Sequence, residues 1–586
     1  MKNNIAISQH HQQADFILKN AKVADVFSLI WREADIVVAN GKIIALDTEG
    51  KYDAQTIEDA KGRYVIPGMI DTHIHIESSM LTPEQFSQIL LPFGVTSIIA
   101  DPHEIANVSG AEGIQYMLNA AKDCALDIYY MLPSSVPATS FEHAGAVLKA
   151  SDLEPFIHSE QVLGLAEVMD YVAVLTGDDD MLAKIKLGHD HHMIVDGHGS
   201  GLSPEQLTGY RAAGIHTDHE CVTAEEALVR ISQGMYVLIR EGSATKNVKA
   251  ILPAVNATNA RRFAFCTDDK HLDEIIAEGT INSTVKLAID EGLDPLQAIQ
   301  IATLNAAECY RLYDKGAVAP GYIADFVLVD NVEEMAIQAV WKNGRKVAQD
   351  GKILTEEITP VEVPPRILNS VNFQKVNATD LALPLNSSFV NIIDIIPHQV
   401  VTKKIQDYVD IVDGHFIPNT EKDFLKIAVF ERHLQRNTKS VAIVHGLGLQ
   451  AGAIATTIAH DSHNAIVVGT NDEDMAYALN TISDMQGGIV VVKDQQVLAK
   501  MHLPVAGLMT NIPAEEAAIQ LEKLHDALHI LHPTIDFHLF LTLSFLSLPV
   551  IPALKLTDTG LFDVEKFQHI SVEVEQVELV SNDVQK

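Results

Sequence analysis

The sequence predicts an α/β protein, a metal-dependent (β/α)₈ TIM-like barrel carrying additional domains, and three features of its 586 residues support this fold class. Between residues 64 and 269, eight short apolar runs alternate with amphipathic stretches of helical length, which is the pattern of a parallel sheet. Polar, ionisable residues follow most of these runs, as they do at the carboxyl ends of barrel strands. Strand-rich segments flank the barrel, and a mixture of strands and helices returns in the last third of the chain.

The domain organisation follows from the same pattern. We expect three parts in the chain. They are a small β-sandwich domain formed from both flanks (1–66 and 315–354), the barrel (67–314), and a linker with a C-terminal α/β domain (355–586). Each flank contains two apolar runs joined by an Asn-Gly pair, Asn40-Gly41 and Asn343-Gly344, which is the sequence of a tight hairpin turn. The length of the chain also requires more than one hydrophobic core.

The individual elements can be placed along the chain. The barrel strands are predicted at 65–70, 95–100, 127–132, 162–166, 192–196, 214–217, 235–239 and 262–267. In the C-terminal domain, strands are predicted at 440–445, 465–469 and 489–492, and a helix at 514–528.

Composition limits the possible partners and the compartment. A formal charge of −36 argues against nucleic acid or an anionic membrane as a partner. The four cysteines show no C-x-x-C spacing, so we expect reduced core residues in a cytoplasmic protein. The N-terminus is polar, and no apolar run is long enough to span a bilayer. We expect a soluble homo-oligomer, a dimer or larger.

Two histidines follow the first predicted barrel strand, at His73 and His75. Side chains at positions i and i+2 of a strand point to the same side, so both imidazoles face one space. A pair of neutral imidazoles suits a divalent metal, and catalytic residues of such barrels gather at the carboxyl ends of the strands.

Later strands add further metal-binding side chains to this end of the barrel. The candidate ligands are His73, His75, Glu167, His198, His219 and Asp268. Six such ligands fit two divalent metal ions per chain, with Glu167 as the bridge and Asp268 as both a ligand and a proton carrier. A set without thiolate favours manganese, iron or zinc over copper.

Long motifs resemble those of bacterial adenine deaminases, a family of the amidohydrolase superfamily. Among them are PGMIDTHIHIESSMLTPEQF, TSIIADPHEIANVSG, VLGLAEVMD, FCTDD, AHDSHNAIVVGTNDEDMA and LSFLSLPVIPALKLTDTGLFDV. The resemblance covers nearly the whole chain, including the C-terminal domain. It implies hydrolysis of adenine to hypoxanthine and ammonia in purine salvage, usually with manganese or iron. It also carries over all six ligands in their motif contexts.

A purine substrate requires a group that protonates ring nitrogen N1 and partners for the other ring nitrogens. Residues that follow the first two strands are placed for this role: Glu77, Ser78, Ser79, His103 and Glu104. We expect catalysis from Asp268, Glu167, His219 and Glu77. An alternative is that Ser78 and Ser79 cap a helix and that Glu104 is a first-turn acid favoured by the helix dipole.

Two other functions remain open from the sequence. A cyclic amide hydrolase of the dihydropyrimidinase or dihydroorotase kind normally has a carboxylated lysine as the metal bridge, where this chain has Glu167. A non-catalytic scaffold should have lost ligands, whereas all six are present.

The C-terminal domain carries histidines in glycine-bordered turns, among them His445, His460 and His463. A separate metal site is one interpretation. We expect a structural role instead, in a domain that packs against the barrel and helps to enclose its site.

Overall fold

The computed structural model describes residues 1–354 and 360–574, which form two compact units. The first unit consists of Met1–Val136, Ala146–Ile367 and Met509–Ala518. The second consists of Pro137–Gly145, Leu368–Leu508 and the chain from Ile519 onward. Each unit therefore includes a short segment whose sequence neighbours belong to the other unit.

Both flanks of the barrel contribute strands to one nine-stranded sheet. Its strands are β1 (Ala14–Asp25), β2 (Ile30–Ala39), β3 (Lys42–Asp47), β4 (Ala54–Asp59), β5 (Tyr64–Pro67), β14 (Phe326–Val329), β15 (Ile337–Lys342), β16 (Arg345–Gln349) and β17 (Lys352–Ile353). The flanks join where β14 pairs antiparallel with β5. Asn40-Gly41 and Asn343-Gly344 all have positive φ, as the predicted hairpin turns require.

Eight parallel strands form the barrel, and the predicted fold class is confirmed. They are β6 (Met69–Ile74), β7 (Val95–Ala100), β8 (Asp127–Leu132), β9 (Val162–Val168), β10 (Ile194–Gly197), β11 (Thr217–Asp218), β12 (Tyr236–Arg240) and β13 (Phe263–Cys266). Two hydrogen-bonded groups, β6 to β10 and β11 to β13, make up the wall. The groups connect through His216 N–H to the Val195 carbonyl (2.8 Å) and Asp268 N–H to the His73 carbonyl (2.9 Å).

The prediction of one first barrel strand at 65–70 is wrong, because this region forms two separate strands. The apolar run divides at Gly68 into β5, which lies in the nine-stranded sheet, and β6, which lies in the barrel. A Cβ on Gly68 would lie 2.2 Å from Thr96 Oγ1, so the Thr96 side chain occupies the space that a larger residue at position 68 would need. A continuous apolar run gives no sign of such a change of sheet.

Most helices of the first unit lie between or after the barrel strands, whereas the first helix precedes the nine-stranded sheet and the last follows it. The helices are α1 (Lys2–Ser8), α2 (Pro83–Leu90), α3 (His103–Ala121), α4 (Ala150–Leu153), α5 (Tyr171–Thr176), α6 (Asp179–Asp190), α7 (Pro204–Ala212), α8 (Ala224–Ser232), α9 (Val248–Ile251), α10 (Leu272–Glu278), α11 (Ile281–Asp290), α12 (Pro295–Gln300), α13 (Ala306–Cys309) and α14 (Pro365–Leu368). Local sequence fixes several starts. Helix α7 begins at Pro204 after a capping box in which Ser203 and Gln206 bond each other's backbone amides.

The second unit is built on an eight-stranded, largely antiparallel sheet of the order β19-β18-β23-β22-β25-β24-β26-β27. Its strands are β18 (Phe389–Ile395), β19 (Thr402–Tyr408), β20 (Ile411–Val412), β21 (His415–Phe416), β22 (Phe424–Phe430), β23 (Lys439–His445), β24 (Ala453–Thr456), β25 (Ala465–Gly469), β26 (Gly488–Lys493), β27 (Gln496–His502), β28 (Leu554–Thr557), β29 (Gly560–Asp563) and β30 (Gln568–Ile570). The helices α15 (Asp472–Asp484), α16 (Ala514–Leu531) and α17 (Leu539–Ser544) complete the chain. The strands and the helix predicted for this region are confirmed within a few residues.

The segment Pro137–Gly145 follows barrel strand β8 and is held by residues of the second unit. The ring of Phe141 lies 4.8 Å from that of Phe562 and 5.2 Å from that of Phe567. The Asp558 carboxylate accepts hydrogen bonds from the His143 backbone N–H (2.9 Å) and from His143 Nδ1 (2.7 Å). Aromatic packing and a buried carboxylate thus hold this segment within the second unit.

The segment Met509–Ala518 makes the reverse connection, because it belongs to the first unit. Thr510 N–H donates to the Met80 carbonyl at 2.8 Å, and Thr82 N–H donates to the Thr510 carbonyl at 3.1 Å. Thr510 therefore pairs with the chain directly after Ser78 and Ser79.

Two of the C-terminal histidines have identifiable structural partners. Buried His463 accepts the Ala459 backbone N–H at Nδ1 (3.1 Å) and closes its own turn. His445 Nδ1 lies 2.6 Å from Asp394 Oδ1. Across the described residues, no helix combines the length and the hydropathy needed to cross a bilayer.

Replacing Gly68 with alanine should destabilise the protein by about 1–3 kcal/mol, the usual cost of overpacking. The added methyl group would overlap Thr96 at the junction of two sheets. Urea unfolding measures the change. Gly209→Ala is the matched control, since its Cβ would meet only the end of the Leu175 side chain. Equal stability of the two variants would contradict the close approach at Gly68.

A chain truncated after Thr355 should be poorly soluble or nearly inactive. Truncation removes Met509–Ala518 from the first unit and deprives Pro137–Gly145 of the residues that hold it. Solubility, circular dichroism and turnover of adenine measure the outcome. A soluble truncate with normal turnover would refute this dependence.

Candidate active site

The carboxylate of Glu167, at the end of β9, lies at the centre of the predicted ligand set. Its Oε1 is 3.4 Å from His75 Nε2 and 3.7 Å from His73 Nε2. Its Oε2 is 2.6 Å from His198 Nδ1 and 3.2 Å from His219 Nε2. Each carboxylate oxygen therefore faces a different histidine pair.

Asp268 adds a second carboxylate beside the first histidine pair. Its Oδ1 lies 3.0 Å from His75 Nε2 and 3.6 Å from His73 Nε2. Asp268 has a φ of +61°, a left-handed conformation that aspartate tolerates better than most residues. His75 Nδ1 lies 3.2 Å from the Asp101 carbonyl, a contact that turns Nε2 towards the two carboxylates.

The electrostatics of this buried set depend on neighbouring charges. Burial alone would raise the pKa of Glu167, yet His198 and His219 hold that pKa well below its ordinary value. Burial likewise opposes ionisation of Asp268, whose pKa is nevertheless held well below its ordinary value by His73 and His75. Burial disfavours the charged form of His198, but nearby carboxylates raise its pKa to about 9. Both carboxylates are thus ionised and require positive charge close by.

The four imidazoles and two carboxylates form a ring of side chains, called the histidine ring below. Its negative charge and its unsatisfied imidazole nitrogens both suit a divalent metal ion. His73 Nε2 and both ring nitrogens of His219 are buried and make no hydrogen bond of acceptable geometry with any other described residue. Ligand atoms lie within 4.8 Å of one another in several groups, among them His73 with His75 and Asp268, and His73 with Glu167 and His219. Buried imidazole nitrogens aimed between carboxylates are suitable metal ligands.

Hydrogen bonds below the ring fix the strand that carries the first histidine pair. Asp71 accepts the Thr267 backbone N–H (3.1 Å) and the Thr267 hydroxyl (2.6 Å). The Tyr310 hydroxyl lies between the Thr72 carbonyl (2.8 Å) and Asp196 Oδ2 (2.9 Å). The Asp71–Thr267 contacts join β6 to the end of β13 beside Asp268, and Tyr310 connects β6 to β10.

The second histidine pair has its own supports. The Tyr210 hydroxyl donates to the Val168 carbonyl (2.6 Å) and accepts the His198 backbone N–H (2.9 Å). This hydroxyl ties the residue after Glu167 to the backbone of His198.

A buried ion pair connects the loops after β10 and β11. Asp218 accepts the backbone N–H groups of Gly199 (3.0 Å) and Glu220 (2.9 Å), and Arg230 Nε donates to it at 2.8 Å. Arg230 also donates to the Gly199 carbonyl at 2.7 Å. A Cβ on Gly199 would lie 2.6 Å from Asp218 Oδ2, so only glycine fits this contact.

Three of the residues predicted to bind substrate form one buried polar cluster. Ser78 Oγ donates to Glu104 Oε1 (3.2 Å) and to Asp269 Oδ1 (2.5 Å). Glu77 Oε1 accepts the Ile105 backbone N–H at 3.2 Å. Burial raises the pKa of Glu77 to about 7, and burial together with the Glu77 charge raises that of Glu104 well above its ordinary value.

The other two predicted substrate residues are placed differently. His103 Nδ1 lies 3.0 Å from Asp101 Oδ2 and 3.5 Å from Glu167 Oε1, so this imidazole adjoins the histidine ring. Ser79 Oγ donates to the Ile76 carbonyl (2.6 Å) and accepts the Leu81 backbone N–H (3.2 Å). The Ser79 hydroxyl is therefore used within its own turn, in the local role that the sequence left open.

Sequence reasoning gave no role to three residues that the fold brings to the site. Asp269 joins the Ser78 cluster. Glu220 lies 3.7 Å from His219 Nε2, and Arg240 contacts Asp268. The only indication of such a role in the sequence was the position of each residue at or after the carboxyl end of a predicted barrel strand.

Two family models match this chain. Residues 64–347 match the amidohydrolase family, and residues 399–568 match the adenine deaminase C-terminal domain. The first match covers the barrel with part of the nine-stranded sheet, and the second lies in the second unit except for Met509–Ala518, which belongs to the first.

Curated relatives match over almost the full length. An adenine deaminase of Lysinibacillus sphaericus is 59% identical, with 98% of this chain and 99% of that protein covered. Adenine deaminases of Halalkalibacterium halodurans and Bacillus subtilis are each 48% identical, covering 98% and 97% of this chain and 98% and 99% of their own lengths. Identity of this extent across both units shows that the chain belongs to the adenine deaminase family of the amidohydrolases.

Proposed function

We propose that this chain catalyses the hydrolytic deamination of adenine to hypoxanthine and ammonia in purine salvage. The observation that carries the proposal is the ring of four imidazoles and two carboxylates centred on Glu167, in a chain of this family. The ring suits hydrolysis by a metal-activated water, and the family relationship supplies the substrate.

We infer that two divalent ions bind per chain. His73, His75 and Asp268 would hold the first ion, and His198 and His219 the second, with one oxygen of Glu167 towards each. A bound pair of such ions would supply a Lewis acid and a water nucleophile with a pKa of about 7. Manganese is our first choice, with iron or zinc as alternatives, because the set combines imidazole and carboxylate without thiolate.

Asp268 is the residue we propose as proton carrier between the attacking water and the departing amine. Its Oδ1 faces the first histidine pair, where the water would be held. A carboxylate in this position can accept a proton from the nucleophile and pass it to the leaving group. Together with Glu167 and His219, it forms the core of the proposed catalytic set.

Glu77 is the residue we propose for protonating purine nitrogen N1. Its Oε2 is buried and makes no hydrogen bond with another described residue, and burial raises its pKa to about 7. A carboxyl group with such a pKa is partly protonated near neutrality and can donate to a ring nitrogen. Ser78, Glu104 and His103 would line the rest of the purine edge, and Ser79 would shape the turn that presents them.

The alternatives are not favoured. Cyclic amide hydrolases with a carboxylated lysine bridge differ from this chain, in which Glu167 lies between the two histidine pairs and is the bridge that we propose. A scaffold without catalysis has no need of six converging ligand side chains. The curated relatives that match across both units are adenine deaminases.

Two further expectations concern the setting of the protein. All four cysteines are unpaired, and three of them are buried, which supports a reducing, cytoplasmic compartment. A homo-oligomer remains a prediction that light scattering coupled to gel filtration would test.

The purified protein should contain close to two divalent ions per chain and should hydrolyse adenine. His73→Ala and His198→Ala should each lose metal and activity together, because each removes a ligand. Metal analysis and the ultraviolet change from adenine to hypoxanthine measure both. His216→Ala is the control, since His216 lies at the opposite end of β11 from His219. Full activity of the metal-free protein would contradict the proposal.

Asp268→Asn should keep much of its metal and lose roughly 10²–10⁴-fold in kcat, the contribution of a positioned acid-base group. Asp269→Asn should keep kcat, because its amide oxygen can still accept the hydrogen bond of the Ser78 hydroxyl. Loss of the Asp269 charge beside the Ser78 cluster should change only KM for adenine. Steady-state kinetics with metal analysis separate the two. An inactive Asp269→Asn beside a normal Asp268→Asn would move the assignment by one position.

A further inference from the structure

Arg240, the last residue of β12, places a buried guanidinium between two carboxylates of the site. Its Nη1 donates to Asp268 Oδ2 at 2.8 Å, and the same nitrogen contacts Glu220 Oε1. The side chain is 6% exposed, and its Nε makes no hydrogen bond with any other described residue. A buried cation is stable only when it is paired, so both carboxylates are integral to its placement.

The two oxygens of Asp268 have different partners. Oδ1 faces His75 and His73, at 3.0 and 3.6 Å, while Oδ2 faces Arg240. With Oδ2 held by the guanidinium, rotation of the carboxylate about its Cβ–Cγ bond is restricted. Arg240 thereby selects which oxygen is presented to the first histidine pair.

Glu220 is the second partner of Arg240, and it adjoins the other histidine pair. Its Oε1 lies 3.7 Å from His219 Nε2 and 3.8 Å from His198 Nδ1. Those three residues also satisfy the geometry of a possible metal group. The oxygen near the two histidines is the same oxygen that contacts Arg240.

We propose that Arg240 is a positioning residue for the reaction, acting through two carboxylates. It fixes Asp268 so that Oδ1 alone faces the first ion, and it holds Glu220 as a counter-ion so that this carboxylate does not become a ligand of the second. A catalytic metal site needs an open position for water or substrate, and an additional carboxylate would fill that position. The inference rests on the metal assignment of the proposed function.

Arginine suits this role better than lysine. The charge of Arg240 is secure, because the neighbouring carboxylates outweigh the effect of burial and raise its pKa. A lysine ammonium ends one bond short of Nη1, so it cannot keep the same contacts with Asp268 and Glu220. Arg240→Lys therefore keeps the charge and changes only the geometry.

The test compares Arg240→Lys in the full-length, manganese-loaded protein with the same substitution in an Asp268→Asn background. Alone, Arg240→Lys should lower kcat by roughly 10²-fold, the effect of misplacing a catalytic group by about 1 Å, with KM for adenine nearly unchanged. It should also change the rate at which a chelator removes manganese. In the Asp268→Asn background, Arg240→Lys should cause little further loss, because residues that act through one another are non-additive.

A second variant and a control exclude a general effect on folding. Arg240→Met combined with Glu220→Gln removes one positive and one negative buried charge, and it should show the same loss of kcat while it still unfolds in one cooperative transition, at a lower midpoint because Asp268 loses its cation. Lys342→Met removes another buried cation, which pairs with Asp127 (2.6 Å) and Asp325 (2.8 Å) away from the ring, and should leave chelator release unchanged.

Normal kcat and normal metal release in Arg240→Lys would overturn the inference, as would a loss of equal size in the Asp268→Asn background. Failure of the proposed metal site would show differently, as full activity of the metal-free protein. That result would overturn the role of Arg240 together with the assignment of Asp268.

Discussion

Compensation of the buried negative charge of Glu167 and Asp268 is the constraint on which the site depends. Removing a carboxylate from water costs several kcal/mol unless positive charge or hydrogen bonds replace the solvent. Here the replacement comes from the imidazoles of His198 and His75, at 2.6 and 3.0 Å, and from the Arg240 guanidinium at 2.8 Å. The same arrangement that stabilises the anions in the protein offers converging ligands to divalent cations.

The barrel satisfies this constraint because hydrogen bonds and an ion pair outside the ring hold both the backbone and the side chains of the charged residues in place. Asp71 and Thr267 lock β6 to β13, which places Asp268 opposite His73 and His75. The Asp218–Arg230 pair fixes the loop of His198 relative to that of His219. Such outer contacts orient the side chains that we propose as metal ligands.

Local sequence patterns determined much of the architecture. Alternating apolar runs and helical stretches predicted the barrel, and β7 and β8 begin and end where the sequence placed them. The Asn-Gly pairs predicted both hairpins, because only a few residues adopt positive φ readily. The six candidate ligands were also identifiable, since carboxyl ends of parallel strands meet at one face of a barrel and His73 and His75 carry the spacing of a same-side pair.

Tertiary structure alone decided which polar residues near those strand ends act together. Gly68 separates two sheets because Thr96 approaches it, and Asp269 enters the Ser78 cluster because β13 and β6 are neighbours. Arg240 meets both Glu220 and Asp268 although 20 and 28 residues separate them in sequence. Contacts of this kind depend on barrel closure, a long-range event that leaves no local periodicity. The sequence could therefore identify the candidate ligands, whereas the charges and hydrogen bonds that orient them became visible only in the folded chain.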